Sequence, residues 1–152
     1  MLGSMGLLLN GVRQDESYDT RKTAARFVRE KSSFQSWVTA DGSSGPTRTS
    51  GFKAEPARYH LHAALVCPWA HRTLIVRKLK KLADLISVSV VDPFMGPNGW
   101  AFAASDGSLT HGSTPDTVNG ARYLYEIYLK ARQLHRTCHS AWCCGIARPK
   151  RS

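Results

Sequence analysis

No stretch of this 152-residue chain approaches the ~20 consecutive apolar residues that a membrane-spanning helix needs. The first nine residues, Met1 to Leu9, lack a basic start and a small-residue cleavage site, so they do not read as a secretory signal. Met5 serves as well as Met1 for a natural start. Cysteine is scarce and unevenly placed: of four, Cys67 stands alone while Cys138, Cys143 and Cys144 crowd the C-terminus. That pattern excludes the disulfide framework of a small secreted domain and points to a reducing, cytoplasmic setting. Acids are also in short supply, 11 against 21 Lys and Arg, for a net charge of +10. Such a surplus ordinarily suggests nucleic acid or an anionic surface. Its distribution argues otherwise, because the acid-free stretch from Ala131 to Ser152 supplies half of it through Arg132, Arg136, Arg148, Lys150 and Arg151. The remainder is spread thinly and forms no aromatic-interleaved basic stripe, so neither nucleic acid nor a membrane is an expected partner.

What is present suits a single ordinary domain, or a small one with tails. Apolar residues make up 42% and the mean hydropathy is −0.30, which allows a soluble globular core. Residues 1–56 read as an extension, rich in Gly, Ser, Thr and charge, with Asp41-Gly42-Ser43-Ser44-Gly45-Pro46 a loop by composition. Its scattered aromatics (Tyr18, Phe27, Phe34, Trp37 and Phe52) imply that it lies against something. From Arg58 the pattern tightens. Tyr59 to Val66 suits a strand ending at Cys67, and Pro68 sits where a helix begins, its missing N–H tolerated at the first helical position. Trp69 to Ala83 reads as a helix with Ile75, Leu79 and Leu82 on its apolar stripe. Ile86 to Val91 is short, β-branched and alternating, a second strand. A Gly- and Pro-rich loop over about Asp92 to Pro115 leads to a second helix, about Val118 to Ala131, with Ala121, Leu124, Tyr125 and Tyr128 on one face. The order is βαβα, for which parallel strands joined by a crossover helix are expected.

Cys67 occupies the strand-to-helix junction. The first turn of a helix offers unpaired N–H groups and the positive end of the dipole, and both stabilise a thiolate. His71 and Arg72 add positive charge nearby in sequence. The place of a second thiol in a C-x-x-C motif is taken by Ala70, so the site is monothiol. A lone thiolate that has attacked a sulfur cannot close an internal disulfide; an external thiol must release it, and glutathione is the natural candidate. The plainer alternatives stay open at this point: Cys67 as a buried apolar residue, Trp69 as a core aromatic, His71 and Arg72 as surface.

The segment Cys67-Pro68-Trp69-Ala70-His71-Arg72-Thr73-Leu74-Ile75 resembles the glutathionyl-hydroquinone reductases, the Xi class of the glutathione transferases, relatives of the omega class. The resemblance extends to residues 34–42, from Phe34-Gln35-Ser36-Trp37, and to Gly51-Phe52-Lys53-Ala54-Glu55-Pro56 through Leu61. It takes in Ile86 to Val91, Asn98-Gly99-Trp100-Ala101-Phe102 and Tyr123-Leu124-Tyr125-Glu126-Ile127-Tyr128, about residues 5–131 in all. It implies an α/β, thioredoxin-like N-terminal domain that uses glutathione as co-substrate and no metal. It also implies that Cys67 is the nucleophile, taking glutathione from a glutathionyl-hydroquinone through a mixed disulfide, and that Trp100 lines the glutathione site, where a loop-anchoring role is the alternative. The family's homodimer is a poor fit to a chain this short.

After Ala131 the resemblance stops. The family continues with Gly-Arg-Val-Thr-Val-Pro-Val-Leu-Trp-Asp, whose proline is cis, then a Glu-Ser pair and a large helical domain. Here Arg132-Gln133-Leu134-His135-Arg136-Thr137-Cys138-His139-Ser140-Ala141-Trp142-Cys143-Cys144-Gly145 stands instead. Permissible codons for Arg132 to Trp142, read one base later, spell Ala-Asn-Tyr-Thr-Gly-Arg-Val-Thr-Val-Pro. Those from Trp142 onward, read one further base along, spell Val-Leu-Trp-Asp-Arg-Gln-Ala-Gln-Thr-Ile. The expected organisation is therefore an irregular extension (1–56), the incomplete βαβα half of a glutathione-binding domain (57–131) and an aberrant, disordered basic tail (132–152), a frameshift product. An accidental reading frame explains the cysteines and arginines of the tail together, and the adjacent Cys143 and Cys144 fit no usual zinc spacing. Two other functions remain: a thiol-reactive redox or binding module without turnover, and a basic protein acting through its tail. Without the remaining strands, a bare sheet edge, a wet apolar face and marginal stability are expected. The nucleotide sequence past codon 131 checks the frameshift: it should spell Arg-Val-Thr-Val-Pro in a shifted frame, and any other reading there disproves it.

Overall fold

In a computed structural model, the described residues are 35–48, 51–96, 98–104 and 112–131, with the backbone of four short strands near the termini. Those strands are β1 (Leu7–Leu9), β2 (Val12–Gln14), β7 (Thr137–Cys138) and β8 (Ala147–Pro149). Between them lie β3 (Val38–Thr39), β4 (Phe52–Lys53), β5 (Tyr59–Ala64), α1 (Pro68–Leu79), β6 (Ile86–Val91) and α2 (Leu124–Ala131). No helix among the described residues is long and apolar enough to cross a membrane.

The centre is a β5–α1–β6 unit. β5 is buried at all six positions and pairs in parallel with β6 from Tyr59↔Ile86 to Ala64↔Val91. Burial on both faces is what a strand flanked by a crossover helix experiences, so the parallel arrangement expected from the sequence is the one adopted. The core gathers Ala63, Ala64, Cys67, Ala70, Val91, Phe102, Ala121, Leu124, Ile127 and Tyr128, with Trp100 and Leu74 packed against it.

Helix α1 departs from expectation on two counts. It ends at Leu79 rather than Ala83. Lys81 turns into the left-handed region (φ 55°), its N–H donating to Lys78 O while the Leu82 N–H donates to Arg77 O. That is a Schellman closure made without the usual glycine. The stripe of Ile75 and Leu79 also faces outward, at 57% and 75% exposed, whereas Ala70 is buried and Leu74 packs on the core. The inner face is thus 70–74–77, an equally regular i, i+4, i+7 series whose small and charged members disguise it. Arg77 completes it through its head group: Nε donates to Ile86 O and Nη2 to Ala83 O, both at 2.6 Å, which ties the helix to the start of β6.

Helix α2 is shorter than expected, because Asp116 to Ala121 forms a turn instead of its first coil. Ala121, Leu124 and Tyr128 are buried as expected; Ile127, fully buried, was not among the expected stripe, and Tyr125 is half-buried. One edge of the sheet is covered, since β8 lies antiparallel along Tyr59–Leu61 on the side of β5 opposite β6, while β6 is the outer strand on the other side. The other described piece of the tail, β7, pairs with Leu8 and Leu9 of β1. The rest of the tail, including His139, Cys143 and Cys144, lies outside the described residues, and the expected disorder falls mostly there.

Among its described residues the extension carries two strand pairs, β1 with β2 and β3 with β4. β3 and β4 pair in parallel, Val38↔Phe52 and Thr39↔Lys53, and the Tyr59 hydroxyl donates to Lys53 O. Two glycines allow the intervening loop to fold back. A Cβ on Gly45 would meet Trp37 Cγ at 2.4 Å, and one on Gly51 would meet Ser43 O at 1.9 Å.

Burial predicts contrasting truncations. Ile127→Ala should cost about 2–5 kcal/mol in urea unfolding of the full chain. Leu79→Ala should stay within about 0.5 kcal/mol of the parent despite its helical, apolar position.

Candidate functional site

β5 ends at Ala64, and a tight turn through Leu65 and Val66 is closed by the Cys67 N–H donating to Ala64 O at 3.0 Å. Cys67 then has extended backbone (φ −95°, ψ 118°) and serves as N-cap residue of α1, with Pro68 in the first helical position. Its carbonyl accepts the His71 N–H at 3.2 Å, the opening bond of the helix. The junction foreseen from Cys67-Pro68 is therefore formed. The first turn carries no acidic side chain that would oppose a thiolate at the helix start. Cys67 is only 8% exposed and belongs to the core cluster. Two forces consequently oppose each other at the sulfur: the helix start favours the anion, and apolar burial favours the thiol.

The neighbouring side chains separate into inner and outer. Ala70, standing where a second thiol would be, is buried beneath the helix. Trp69 is 49% exposed, against the reading of it as a core aromatic, and Arg72 lies over its ring at 4.2 Å from the centroid. Arg72 and His71 are both exposed, so the Arg72 charge acts from the solvent side of the helix. Trp100 is half-buried and packs on the same cluster as Cys67. Its segment is held on both sides. Phe102 bridges Val91 at the end of β6, Ala101 bridges Tyr123, and Trp100 O accepts the Leu124 N–H at 2.9 Å. Cys67 and Trp100, 33 positions apart in the chain, thus share one hydrophobic cluster.

Sequence reasoning missed a second constellation beside them. His60, His62 and Asp116 are all buried, and each brings one possible ligand atom to within 4.8 Å of the others. Existing bonds already use much of this donor set. The two ring nitrogens of His60 meet Ser87 Oγ at 2.7 Å and Ser89 Oγ at 3.0 Å, and Ser89 Oγ donates to Pro115 O at 3.0 Å. The Asp116 carboxylate accepts the N–H groups of Val118, Asn119 and Ala121 at 3.1 to 3.2 Å. A cation here would compete with those hydrogen bonds rather than fill open valences. His62 touches His60 edge-on, with 4.6 Å between centroids, and Phe102 at 5.5 Å. A signal was available in the sequence: His-x-His in the first strand and Ser-x-Ser in the second share a period of two. Asp116, more than fifty residues downstream, carried none.

Comparison with known proteins follows this geometry. No family model matches the chain. Glutathionyl-hydroquinone reductase YqjG of Escherichia coli is 54% identical over 127 residues, which cover 84% of this chain and 38% of the relative. The glutathione-bound structure of YqjG, described as a glutathione transferase homolog, superposes with a TM-score of 0.63 at 47% identity, over 75% of this chain and 35% of that one. A Xi-class glutathione transferase from Natrialba magadii superposes at 0.71 and 33% identity, over 97% and 39%. The chain therefore spans little more than a third of the length of the proteins it matches, and its α/β fold is the thioredoxin-like one of these neighbours.

Asp116 supplies a pH signature. Burial pushes its carboxyl up, but the N–H groups of Ala121, Val118 and Asn119, aided by the charge of His62, outweigh this and hold it below the ordinary value of 3.8. Because the folded value is depressed, the carboxylate stabilises the fold above pH ~4, and this contribution is lost as pH falls through the lower folded value. Asp116→Asn should cost about 1–3 kcal/mol at neutral pH. In urea titrations the gap to the parent should narrow only below pH ~4.

Proposed function

The chain is homologous to the N-terminal part of the glutathionyl-hydroquinone reductases, the Xi-class glutathione transferases, and on that premise we propose that it is a glutathione-dependent thiol reductase acting through Cys67. The observation that carries this reading is the single thiol at the N-cap of α1, with Ala70 in place of a partner thiol. Residues 57–131 are the glutathione-binding part, and Trp100 forms one wall of the site.

In the proposed cycle the Cys67 thiolate attacks the sulfur of a glutathionyl-hydroquinone. A sulfur–sulfur bond forms and the sulfur–carbon bond breaks. Its electron pair passes to the ring carbon, which takes up a proton, and the hydroquinone departs. A second glutathione, as thiolate, then attacks the glutathione sulfur of the mixed disulfide. Oxidised glutathione leaves and the Cys67 thiolate is restored. The helix N-terminus favours that thiolate both as attacking and as leaving group. A glutathione-rich, reducing cytoplasm would supply the second thiol.

This chain departs from the family pattern after Ala131, where the cis-proline strand and the Glu-Ser pair would stand. Slow turnover is expected, since glutathione would have fewer backbone and charged partners to orient it, and the family's homodimer is not expected. The burial of Cys67 supports a second reading, a redox module that forms a glutathione adduct without completing the cycle.

Incubation with a glutathionyl-hydroquinone and glutathione, followed by mass spectrometry and hydroquinone release, separates these readings. The parent chain should form a glutathione adduct at Cys67 and release hydroquinone above background, and Cys67→Ser should do neither. Adduct formation without a second turnover favours the redox module. Equal release by parent and Cys67→Ser overturns both.

A further inference from the structure

We infer that Tyr123 is a positioning residue for the site: with Asn98 it closes a latch that grips the chain on both sides of Trp100 and so fixes where that wall stands.

Trp100 begins a short ribbon whose backbone is held from two directions. On one side the ribbon meets the end of β6, where the Asp92 N–H donates to Ala101 O at 2.8 Å and Val91 bridges Phe102. On the other it meets the chain just before α2. There Arg122 O accepts the Phe102 N–H and Trp100 O accepts the Leu124 N–H, both at 2.9 Å, and Ala101 bridges Tyr123. These contacts place Trp100 O and the residues that follow it. The approach to Trp100 is a turn, in which the Gly99 N–H donates to Gly96 O at 2.9 Å and Gly99 adopts φ 82°. A glycine is permissive there, so the turn by itself defines the entry to Trp100 only loosely.

The Tyr123 side chain supplies the missing restraint. Its hydroxyl oxygen accepts a hydrogen bond from Asn98 Nδ2 at 3.3 Å. One residue thus grips Asn98 with its side chain and Ala101 with its backbone, and Trp100 lies between the two grips. The phenol ring is itself steadied. It stacks on Tyr125, with 5.7 Å between centroids and 14° between planes, and the Arg122 guanidinium lies over it at 5.4 Å. Tyr125, like Trp100, packs on the cluster that holds Cys67. Support therefore runs from the core containing the thiol, through two stacked rings, to the far end of the Trp100 turn. Tyr123 is half-buried and Asn98 exposed, so their hydrogen bond adds only modestly to stability. Its effect is positional: a phenylalanine would keep the stack and lose the grip.

The inference rests on the glutathione reading only in taking Trp100 as a wall of the site; the latch itself is tested without glutathione. In ¹⁵N spectra of the full chain, Trp100→Phe and Trp69→Phe identify the two indole N–H resonances, and Trp69, half-exposed on α1, serves as reference. Tyr123→Phe keeps the ring and its ring current, and Asn98→Ala removes the donor. Each should move the Trp100 resonance well beyond any change at Trp69. The double variant should move it no further than the single ones, because both remove the same bond. Should one variant fail to fold, the other suffices. A Trp100 resonance that stays in place in a folded variant, or shifts that add in the double variant, overturns the inference. A tyrosine that only stabilised the fold would leave the resonance in place and lower the melting temperature. In the variants the glutathione concentration that half-protects Cys67 from alkylation should rise about threefold. An unchanged concentration in variants whose indole has moved also overturns the positioning role. If glutathione fails to protect the parent chain, the glutathione reading fails while the indole comparison still decides the latch.

Discussion

The in-register parallel pairing of β5 with β6 is the constraint from which the rest follows. Parallel neighbours cannot be joined by a hairpin, so the chain must cross over, and the crossover here is α1 with Cys67 at its entrance. The same pairing sets His60 beside Ser87 and His62 beside Ser89 on one face. It also brings the end of β6 to the point where Phe102 and Thr114 attach: Thr114 Oγ1 accepts the Val90 N–H and its own N–H donates to Val90 O, both at 2.8 Å. A slip of one residue would turn the polar pairs over and carry away both the thiol junction and the wall.

Much of this was legible because the signals were local. Cys67-Pro68 announces a strand-to-helix junction through the backbone chemistry of proline, and the β-branched run from Ile86 to Val91 coincides with β6. The inner face of α1 was not legible. Its apolar residues, Ile75, Val76 and Leu79, point outward, and the face that packs uses Ala70, Leu74 and the guanidinium of Arg77. Hydrophobic periodicity assumes that the largest apolar residues face the core. A helix whose core side lies close to a sheet can use a small residue instead. The second helix started late for a different reason, because Asp116 uses its carboxylate to collect the N–H groups of a turn.

For the site, a lone thiol at a helix start could be read from six residues, and similarity to the Xi-class glutathione transferases is what the proposed chemistry rests on. The polar cluster could not be read in the same way. Its members come from two strands and a distant turn, and only the sheet register brings them together. The buried state of the thiol was one of the alternatives the sequence left open, since exposure depends on what covers a residue and not on its neighbours in sequence.

The crossover also carries a consequence in time. Cys67 lies within the loop that must close before β5 and β6 can pair, and a closure over more than twenty residues is a non-local, slow kind of event in folding. Until it happens there is no strand end for the helix to follow and no cluster to surround the sulfur. A nascent or locally opened chain therefore presents an ordinary cysteine. The distinctive environment of the thiol arises, and is lost, together with the sheet.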